Sequence, residues 1–262
     1  MGLSVIVITL NESSNIRRCL DSVAFADQIV VVDSGSSDDT VAIAREYTPD
    51  VFHREMSGFG EQKQFALDQA TEDWILSLDA DEWLSPELQA SLTQFLAGTA
   101  SCSPHAGYRI YRRNFYLGRP MTHCGWYIPL LRLIRRGAGR FNDKRVHEEI
   151  VSDGTAGDLH GDIMHVPYRD LRHHLKKVRH YAALDADELD RKGRKVYGWQ
   201  APIHLLLRPS YKFIEKYFIR QGWREGRHGL LLSAVAAWYV FLMHAQCWRL
   251  QRRRTIVGKP SD

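Results

Sequence analysis

The sequence predicts an α/β protein in which a mostly parallel sheet is flanked by helices and followed by a helical C-terminal appendage. Short β-branched runs alternate with helix-period segments over residues 1–100, the pattern of parallel strands joined by crossover helices. The main apolar runs end in polar residues, as strands do where a sheet presents a ligand site. Residues 201–262 instead combine apolar stretches with basic clusters, which is typical of helices at a membrane surface.

The individual elements follow from local patterns. Residues 3–10 are continuously apolar and β-branched, as expected of a strand that is covered on both faces. The same features mark residues 29–32 and 74–78 as strands, and apolar side chains at helical spacing between these runs predict helices. Ser85-Pro86-Glu87 predicts the start of a further helix, because proline is favoured at the first helical position.

The bulk composition excludes several classes of protein. With 262 residues, 44% of them hydrophobic and 25% charged, the chain is a folded protein with room for one ordinary domain and an appendage. Its net charge is +4, and the stretch after Arg208 is basic, which points to an anionic partner for this part.

The four cysteines form no CxxC pair, which argues against a zinc site or a disulfide framework. The apolar N-terminal run is too short for a signal peptide, so we expect the catalytic part to be cytoplasmic.

The end of the third apolar run carries two carboxylates, in Asp79-Ala80-Asp81. Two carboxylates one residue apart at a strand end suit a hard divalent cation and the diphosphate that it carries. The alternative for this pair is a solvated turn.

The two earlier runs also end in polar residues. Because the carboxyl ends of parallel strands lie at one edge of a sheet, the three ends together predict a nucleotide-sugar site. A glycine in the second loop would let the backbone approach the nucleotide closely. The predicted nucleotide-sugar-binding residues are Thr9, Asn11, Glu12, Asp33, Gly35, Ser36, Lys63, Asp79, Ala80 and Asp81. Helix capping is the alternative for Asn11, Ser36 and Asp38, and a surface position on a helix is the alternative for Lys63.

The C-terminal part predicts membrane association. A helix starting at Pro209 would carry a basic stripe at a spacing of four and an adjoining apolar stripe. Residues 230–248 contain no Asp, Glu, Lys or Arg, and as a helix they would be about 28 Å long, close to the roughly 30 Å of a bilayer core. We expect this part to lie on or dip into one leaflet, with basic residues at anionic headgroups. Two packing helices with a solvated basic tail are the alternative. Nucleic acid is not an expected partner, because the basic residues adjoin apolar stretches rather than a polar groove.

The N-terminal pattern resembles the family 2 glycosyltransferases, which have the GT-A fold. The resemblance is carried by Val5-Ile-Val-Ile-Thr-Leu-Asn11-Glu12, Ile29-Val-Val-Val-Asp33-Ser-Gly35-Ser-Ser-Asp38-Asp39-Thr40 and Leu78-Asp79-Ala80-Asp81-Glu82. Within this family the chain resembles the branch that contains the lipopolysaccharide-core β-1,4-glucosyltransferases, and this resemblance covers nearly the whole chain. The segments that carry it are Phe59-Gly60-x-Gln62-Lys63, Gly125-Trp126-Tyr127, residues 132–136 and Val146-His147-Glu148.

The resemblance and the chemistry together assign roles. Asp81, with Asp79 helping, would hold Mg²⁺ or Mn²⁺ on the diphosphate leaving group, and Lys63 would add a positive charge. Asp33 would accept the imide N–H of uracil. This family inverts the anomeric centre, and direct displacement needs a base for the acceptor hydroxyl. Glu148 is our candidate for this catalytic base.

Three further residues are assigned to the acceptor side. His147 would orient Glu148 or touch phosphate, and Trp126 and Tyr127 would form a platform under the acceptor sugar. Core packing is the alternative for Trp126 and Tyr127, an ordinary acid at a strand end is the alternative for Glu148, and Asp143 is the reserve candidate for the base.

These assignments predict a domain plan and a function. Residues 1–200 would form the GT-A domain, with residues 1–100 binding the nucleotide sugar and 101–200 the acceptor, and residues 201–262 would associate with the membrane. The expected activity moves a sugar, with glucose as first candidate, from a UDP-sugar to a lipid-linked glycan such as the lipopolysaccharide inner core. We expect it at the cytoplasmic face of a bacterial inner membrane. The alternatives are transfer to polyprenyl phosphate or to a capsular or surface polysaccharide, a nucleotidyltransferase, and a non-catalytic sugar-binding membrane protein.

Overall fold

The computed structural model describes residues 1–98, 100–142, 149–194, 196 and 198–257. The chain divides into two compact units. The first comprises Met1–Arg113 with Ile128–Val166, and the second comprises Asn114–Tyr127 with Pro167–Asp262. These divisions differ from the functional boundary expected at residue 200, and that boundary stays a prediction.

The secondary structure of the first part of the chain alternates strands and helices. The strands are β1 (Leu3–Thr9), β2 (Gln28–Asp33), β3 (Val51–His53), β4 (Trp74–Asp79), β5 (Glu82–Leu84), β6 (Gly107–Tyr116), β7 (Arg119–Pro120), β8 (Tyr127–Arg135), β9 (Gly139–Phe141), β10 (Ile150–Ser152) and β11 (Ala156–His165). The α-helices are α1 (Ile16–Asp21), α2 (Thr40–Ala44), α3 (Phe59–Asp68), α4 (Pro86–Ala97), α5 (Leu171–Arg191), α6 (Arg208–Ile214) and α7 (Gly226–Val257).

The main sheet has the strand order β3-β2-β1-β4-β8-β6-β11-β5. Its first four strands are parallel, and β8 joins β4 in the antiparallel sense. The register pairs Thr9 with Asp33 and Ile8 with Asp79, so the carboxyl ends of three strands lie side by side. The predicted α/β fold with a mostly parallel central sheet and a C-terminal helical part is confirmed.

Strand β1 is buried on both faces, as its continuous apolar sequence predicts. Val5 and Val7 belong to a core cluster with residues of α1 and α4. Ile6 and Ile8 belong to a second cluster, on the other face, with residues of α3. Because successive side chains of a strand point to opposite faces, this one strand anchors helices on both sides of the sheet and fixes the loops at its end.

Helix α4 begins where the sequence predicts. The Ser85 hydroxyl accepts a hydrogen bond from the Leu88 N–H at 3.2 Å, and Pro86 occupies the first turn. Strand β11 passes very close to this turn at Gly161, where φ is +102° and an added Cβ would lie 2.4 Å from the Leu88 nitrogen. Glycine is therefore required there for both its backbone conformation and its size.

The helix predicted from Pro209 to about residue 224 is interrupted. Helix α6 ends at Ile214 and continues as a π-helical turn, Glu215–Ile219. Gln221 has a left-handed φ of 55°, and a short 3₁₀ turn, Gly222–Glu225, precedes α7. The four basic residues at a spacing of four, Lys212, Lys216, Arg220 and Arg224, therefore do not form a stripe along one helix. Each of the four has a partner. Lys212 Nζ lies 2.8 Å and Arg220 Nε 3.8 Å from the Glu215 carboxylate. Lys216 Nζ donates to the Cys124 carbonyl at 2.9 Å, and Arg224 Nη1 donates to Gln221 Oε1 at 2.9 Å.

In the second compact unit, α5 packs along α7. The segment Gly222–Arg252 is, in length and composition alone, suited to cross a membrane, and only 28% of its most apolar window is buried within the protein. This segment is therefore not a core helix enclosed on all sides.

Candidate functional site

The carboxyl end of β4 carries a cluster of ionic side chains in the first compact unit. Lys63 Nζ, on α3, lies 2.7 Å from Asp79 Oδ1. Arg132 Nη2, on β8, lies 3.4 Å from Asp79 Oδ2 and 2.8 Å from Glu82 Oε1. Glu82 Oε2 also accepts a hydrogen bond from the Asp79 N–H at 3.0 Å. Alternating acids and bases thus hold the turn at residues 79–82 in one conformation.

Asp79 is held in its ionised form by this cluster. Burial alone would raise the pKa of Asp79, but the positive charges of Lys63 and Arg132 outweigh it and hold the pKa well below its usual range. The Lys63 side chain is only 3% exposed, so Lys63 is not a surface lysine. Its predicted contact with a donor diphosphate stays a prediction.

Asp81 meets a histidine to which the sequence pattern assigned no role. His165 Nε2 lies 3.4 Å from Asp81 Oδ2, and both side chains are largely buried. The contact arises because β11 pairs with β5 in the antiparallel sense and places His165 opposite Glu82. Carboxylate oxygen and imidazole nitrogen both suit Mn²⁺ and similar divalent ions, whereas the spacing of the histidines along the chain predicts only surface or core positions.

A positively charged side chain, Arg18, lies near the pair formed by Asp81 and His165. The guanidinium of Arg18, on α1, stacks 3.6 Å from the centre of the Trp83 ring. Burial lowers the pKa of Arg18, and the Asp81 carboxylate favours its charged form. The sequence offered no signal for Arg18, because its position depends on how α1 packs beside β5.

Asp33, at the end of β2, organises the following loop. Its Oδ2 accepts hydrogen bonds from the Gly35 and Ser36 N–H groups, both at 2.9 Å. The Ser36 hydroxyl donates to Asp33 Oδ1 at 2.5 Å. Among the described residues Oδ1 accepts that single hydrogen bond, so it retains a lone pair for a further donor. The predicted contact between Asp33 and uracil stays a prediction.

Hydrogen bonds of Asn11 and Ser36, two of the predicted nucleotide-sugar-binding residues, connect the loop after β1 to the loop after β2. The Asn11 N–H donates to Ser36 Oγ at 2.8 Å, and Asn11 Oδ1 accepts from the Ser37 N–H at 2.9 Å. Asn11 has a left-handed φ of 55°. The residue at the start of α1 is Asn15, so Asn11 does not cap that helix. These hydrogen bonds hold the two loops against one another at the ends of β1 and β2.

Glu12 and Asp38 extend the same loop contacts. The Glu12 N–H donates to Thr40 Oγ1 at 2.8 Å, and Thr40 Oγ1 in turn donates to Asp38 Oδ1 at 2.5 Å. The Thr40 hydroxyl is the main reason that the pKa of Asp38 falls to about 2. Asp38 does not cap α2, because the N-cap residue of that helix is Asp39, which makes no side-chain capping hydrogen bond. Asp38 instead links two loops, since its Oδ2 accepts from the Ser13 N–H at 3.2 Å.

The remaining predicted donor-site residues line the strand ends. Thr9 is 4% exposed, and its hydroxyl has no hydrogen-bond partner within the described part of the chain. Gly35 has a positive φ of 97°, a conformation that glycine adopts without strain. Ala80 is buried between the two acids. All ten predicted donor-site residues therefore lie in the first compact unit, on three adjacent strand ends and the start of α3.

Trp126 lies in an aromatic cluster of the second compact unit. Its ring packs against Tyr116 and Tyr168, with centroids 5.5 and 6.1 Å apart. Asn114 Nδ2 donates to the Trp126 carbonyl at 2.5 Å. Tyr127 begins β8 and is half-buried. These contacts favour core packing for Trp126, and the acceptor role of both residues stays a prediction. His147, Glu148 and the reserve candidate Asp143 lie outside the described residues.

Comparison with known proteins places this geometry in a family. The family model described as Glycosyl transferase family 2 matches residues 4–149. The chain is 32% identical over 269 residues to the lipopolysaccharide core biosynthesis glycosyltransferase LpsC of Rhizobium meliloti, covering 100% of this chain and 96% of that relative. It is 27% identical to an uncharacterized glycosyltransferase of Rickettsia typhi, covering 98% of this chain and 90% of the relative.

A solved structure also resembles the chain. It is S. aureus TarS 1–349 in complex with UDP-GlcNAc, with 15% identity, a TM-score of 0.48 and coverage of 100% of this chain and 93% of that one. The family match spans all three strand ends and α3, where the predicted donor-site residues lie. The chain belongs to glycosyl transferase family 2.

Proposed function

We propose that this glycosyltransferase transfers a hexose from a UDP-sugar, with glucose as first candidate, to a lipid-linked glycan of the lipopolysaccharide inner core, with inversion at the anomeric carbon. The observation that carries the proposal is the pairing of Asp81 with His165 beside the ionic cluster at the end of β4. A match along the full chain to an enzyme of lipopolysaccharide core biosynthesis supports the acceptor class.

Asp81 and His165 fit a divalent cation. Within the described part of the chain, no group of three or more His, Cys, Asp or Glu is arranged to hold a metal ion. Two protein ligands nevertheless suffice for a cation whose other ligands are donor phosphate oxygens and water. When bound, the cation would stabilise the negative charge that develops on the leaving diphosphate.

Asp79 has a different task in this proposal. Its oxygens already face Lys63 and Arg132, so Asp79 would position these cations rather than serve as the main metal ligand. Lys63 and Arg132 would then present fixed positive charge at the edge of the diphosphate site. Charge that is already oriented needs no rearrangement as the leaving group departs.

The acceptor hydroxyl needs a proton acceptor, and Glu148 is the proposed base. The hydroxyl oxygen would attack the anomeric carbon as the bond to the diphosphate oxygen breaks, and the hydroxyl proton would pass to the Glu148 carboxylate. An α-linked donor would then give a β-linked product.

The proposed location is the cytoplasmic face of the inner membrane, where the protein is peripheral or monotopic. Exposed apolar side chains in the C-terminal unit support this location. Leu206, Leu207 and Tyr211 are 64, 62 and 62% exposed. Basic residues lie on the same segment, which suits a surface with anionic lipids.

A thermal-stability experiment tests the donor site. The purified protein in mild detergent is heated with Mn²⁺ and, in separate samples, UDP, UDP-glucose, UDP-galactose, UDP-N-acetylglucosamine or GDP-mannose. A ligand that binds only the native state raises the unfolding temperature, so we expect Mn²⁺-dependent stabilisation by the uridine compounds. Asp81→Asn and His165→Ala should each remove the Mn²⁺ dependence.

The matched control is Asp158→Asn, which breaks the exposed Asp158–Arg109 pair in the same unit. It should keep the full response to Mn²⁺ and UDP. A wild-type protein that is folded but responds to no nucleotide would overturn the proposed donor site.

A separate variant tests the acceptor class. Glu148→Gln should abolish transfer to a sugar hydroxyl while leaving UDP binding intact, because it removes only the proton acceptor. Undiminished transfer would favour an acceptor that is already ionised, such as a polyprenyl phosphate.

A further inference from the structure

A basic pocket lies in the second compact unit, between the C-terminal end of α5 and the start of α6. Its volume is about 430 Å³. The lining includes Arg194, Arg208, His204, Gln200 and Trp199. None of these residues belongs to the donor site, and the proposed transfer reaction gives them no role.

The two arginines of the pocket carry uncompensated charge. Within the described residues, no carboxylate lies at ion-pair distance from Arg194 or Arg208. Other basic side chains of this unit do have such partners, including Lys192 with Glu188 and Lys212 with Glu215. Two guanidinium groups left without acids in one pocket favour an anionic ligand, and phosphate matches their paired N–H donors.

His204 adds a polar group that the protein leaves unsatisfied. It is 8% exposed, and its Nδ1 has no hydrogen-bond partner among the described residues. Its ring packs against that of His244, with centroids 4.9 Å apart. Burial first, and then the nearby charges of His244, Arg208 and Arg194, lower the pKa of His204.

The chain at and beside the pocket exposes large apolar side chains. Trp199 lines the pocket, and Leu206 and Leu207 lie on the segment between its lining residues His204 and Arg208. Trp199 is 79% exposed, and Leu206 and Leu207, on the π-helical turn Ile203–Leu207, are 64% and 62% exposed. A site for a soluble anion has no need of large exposed apolar side chains beside it. A site for a lipid headgroup needs such side chains. Leucine and tryptophan enter the boundary between headgroups and acyl chains, while the arginines contact the phosphate.

We propose that this pocket binds the phosphate group of an anionic membrane phospholipid, held by Arg194, Arg208 and His204, while Trp199, Leu206 and Leu207 enter the bilayer interface. The pocket would thereby fix the orientation of the C-terminal unit on the membrane rather than attract it by charge alone. This proposal rests on the proposed membrane location, but not on the identity of the donor or the acceptor sugar.

Vesicle flotation of the full-length protein tests the proposal. One set of vesicles contains phosphatidylcholine only, and the other contains phosphatidylcholine with phosphatidylglycerol. Arg194→Gln combined with Arg208→Gln should weaken binding to the anionic vesicles by about tenfold or more. The control combines Arg172→Gln with Arg179→Gln, two exposed arginines of α5 with the same total charge change, and should weaken binding much less.

Two further arms distinguish a specific phospholipid site from diffuse surface charge and from a site for free phosphate. Arg194→Lys combined with Arg208→Lys keeps the charge but loses the paired donors, so it should also weaken binding if the pocket recognises a phosphate group. This pair also keeps the test valid if the glutamine pair fails to fold. Equal losses from the pocket pair and the α5 pair would overturn the proposal in favour of diffuse surface charge. Stabilisation by inorganic phosphate, without preference for anionic vesicles, would overturn the lipid as its source.

Discussion

Lys63 is a buried cation whose environment is set by a few side chains. A lysine that is 3% exposed is tolerated because Asp79 Oδ1 lies 2.7 Å away and Arg132 completes an alternating row of charges with Glu82. Removing one member of a buried pair leaves the other without compensation, which costs more than the pair itself contributes. The cluster therefore fixes the conformation of the turn that carries Asp81.

We expect Lys63→Met to lower the free energy of unfolding by about 3 kcal/mol, because Asp79 would keep only its longer contact with Arg132. Urea denaturation measures the change. Lys192→Met is the matched control at an exposed pair with Glu188 and should cost less than about 1 kcal/mol. Adding Asp79→Asn to Lys63→Met should recover part of the loss, and a purely additive double variant would contradict the pairing.

The pH dependence of stability should carry a contribution from Asp79. Because its pKa in the folded state lies below the usual value, this contribution is present above the unfolded-state pKa of about 3.9 and is lost as the pH falls below it. Urea denaturation between about pH 5 and pH 3 should therefore show a smaller loss of stability in Asp79→Asn than in the wild type. Equal slopes would show that other carboxylates dominate.

Single residues also show where sequence reasoning succeeded and where it could not. Asp33, Asp79 and Asp81 were predicted because an acid directly after a buried strand is visible in the sequence. His165 was missed because only the pairing of β11 with β5 brings it to Asp81, and no local pattern encodes that pairing. Asn11 is visible in the sequence as a polar residue directly after a strand, whereas its contact with Ser37 follows only from the packing of two loops.

At the scale of the elements, the local signals were strong for the N-terminal strands and weak for the C-terminal helices. The buried strands β1, β2 and β4 and the start of α4 were all predicted, because β-branched runs and a Ser-Pro start are local features. Two helices are predicted in this part of the chain, but the interruption of the first one over residues 215–225 is not. Basic residues at a spacing of four suggested one helix, whereas π-helical and 3₁₀ turns interrupt it.

The contact between β11 and α4 gives a prediction at this scale. Gly161→Ala should lower the free energy of unfolding by more than about 2 kcal/mol for two reasons. The new Cβ would clash with the Leu88 backbone, and alanine would be strained at the positive φ of this position. Gly137→Ala is the control, since Gly137 has a φ of +78° with nothing within 4 Å. It should cost only the conformational strain, about 1 kcal/mol. Thermal unfolding compares the two, and equal shifts would contradict a close approach.

For the whole molecule, the exposed apolar side chains predict how the protein fractionates. A protein that inserts leucines into one leaflet should stay with membranes in high salt and be released by detergent, since salt screens charge but not apolar burial. Leu206→Ser combined with Leu207→Ser should shift the protein toward the salt-soluble fraction, as measured by sedimentation of cell membranes.

Leu184→Ser is the control for this variant. Leu184 is 45% exposed on α5, and Asp187 and Glu188, one turn further along α5, would be repelled by an anionic surface. The control should therefore fractionate like the wild type. If Leu184→Ser released the protein as well as the leucine pair did, the membrane contact would not be centred on the π-helical turn.

The pairing of β5 with β11 also bears on how the protein is made. Asp81 emerges from the ribosome long before His165, and the pair forms only after the intervening strands have been synthesised and placed in the sheet. Contacts between residues so distant in sequence form slowly compared with local ones. A nascent chain that ends before β11 lacks His165 and therefore one of the two proposed protein ligands of the cation. Competence to bind the donor would thus arise late in synthesis, after the strand that carries His165 has joined the sheet.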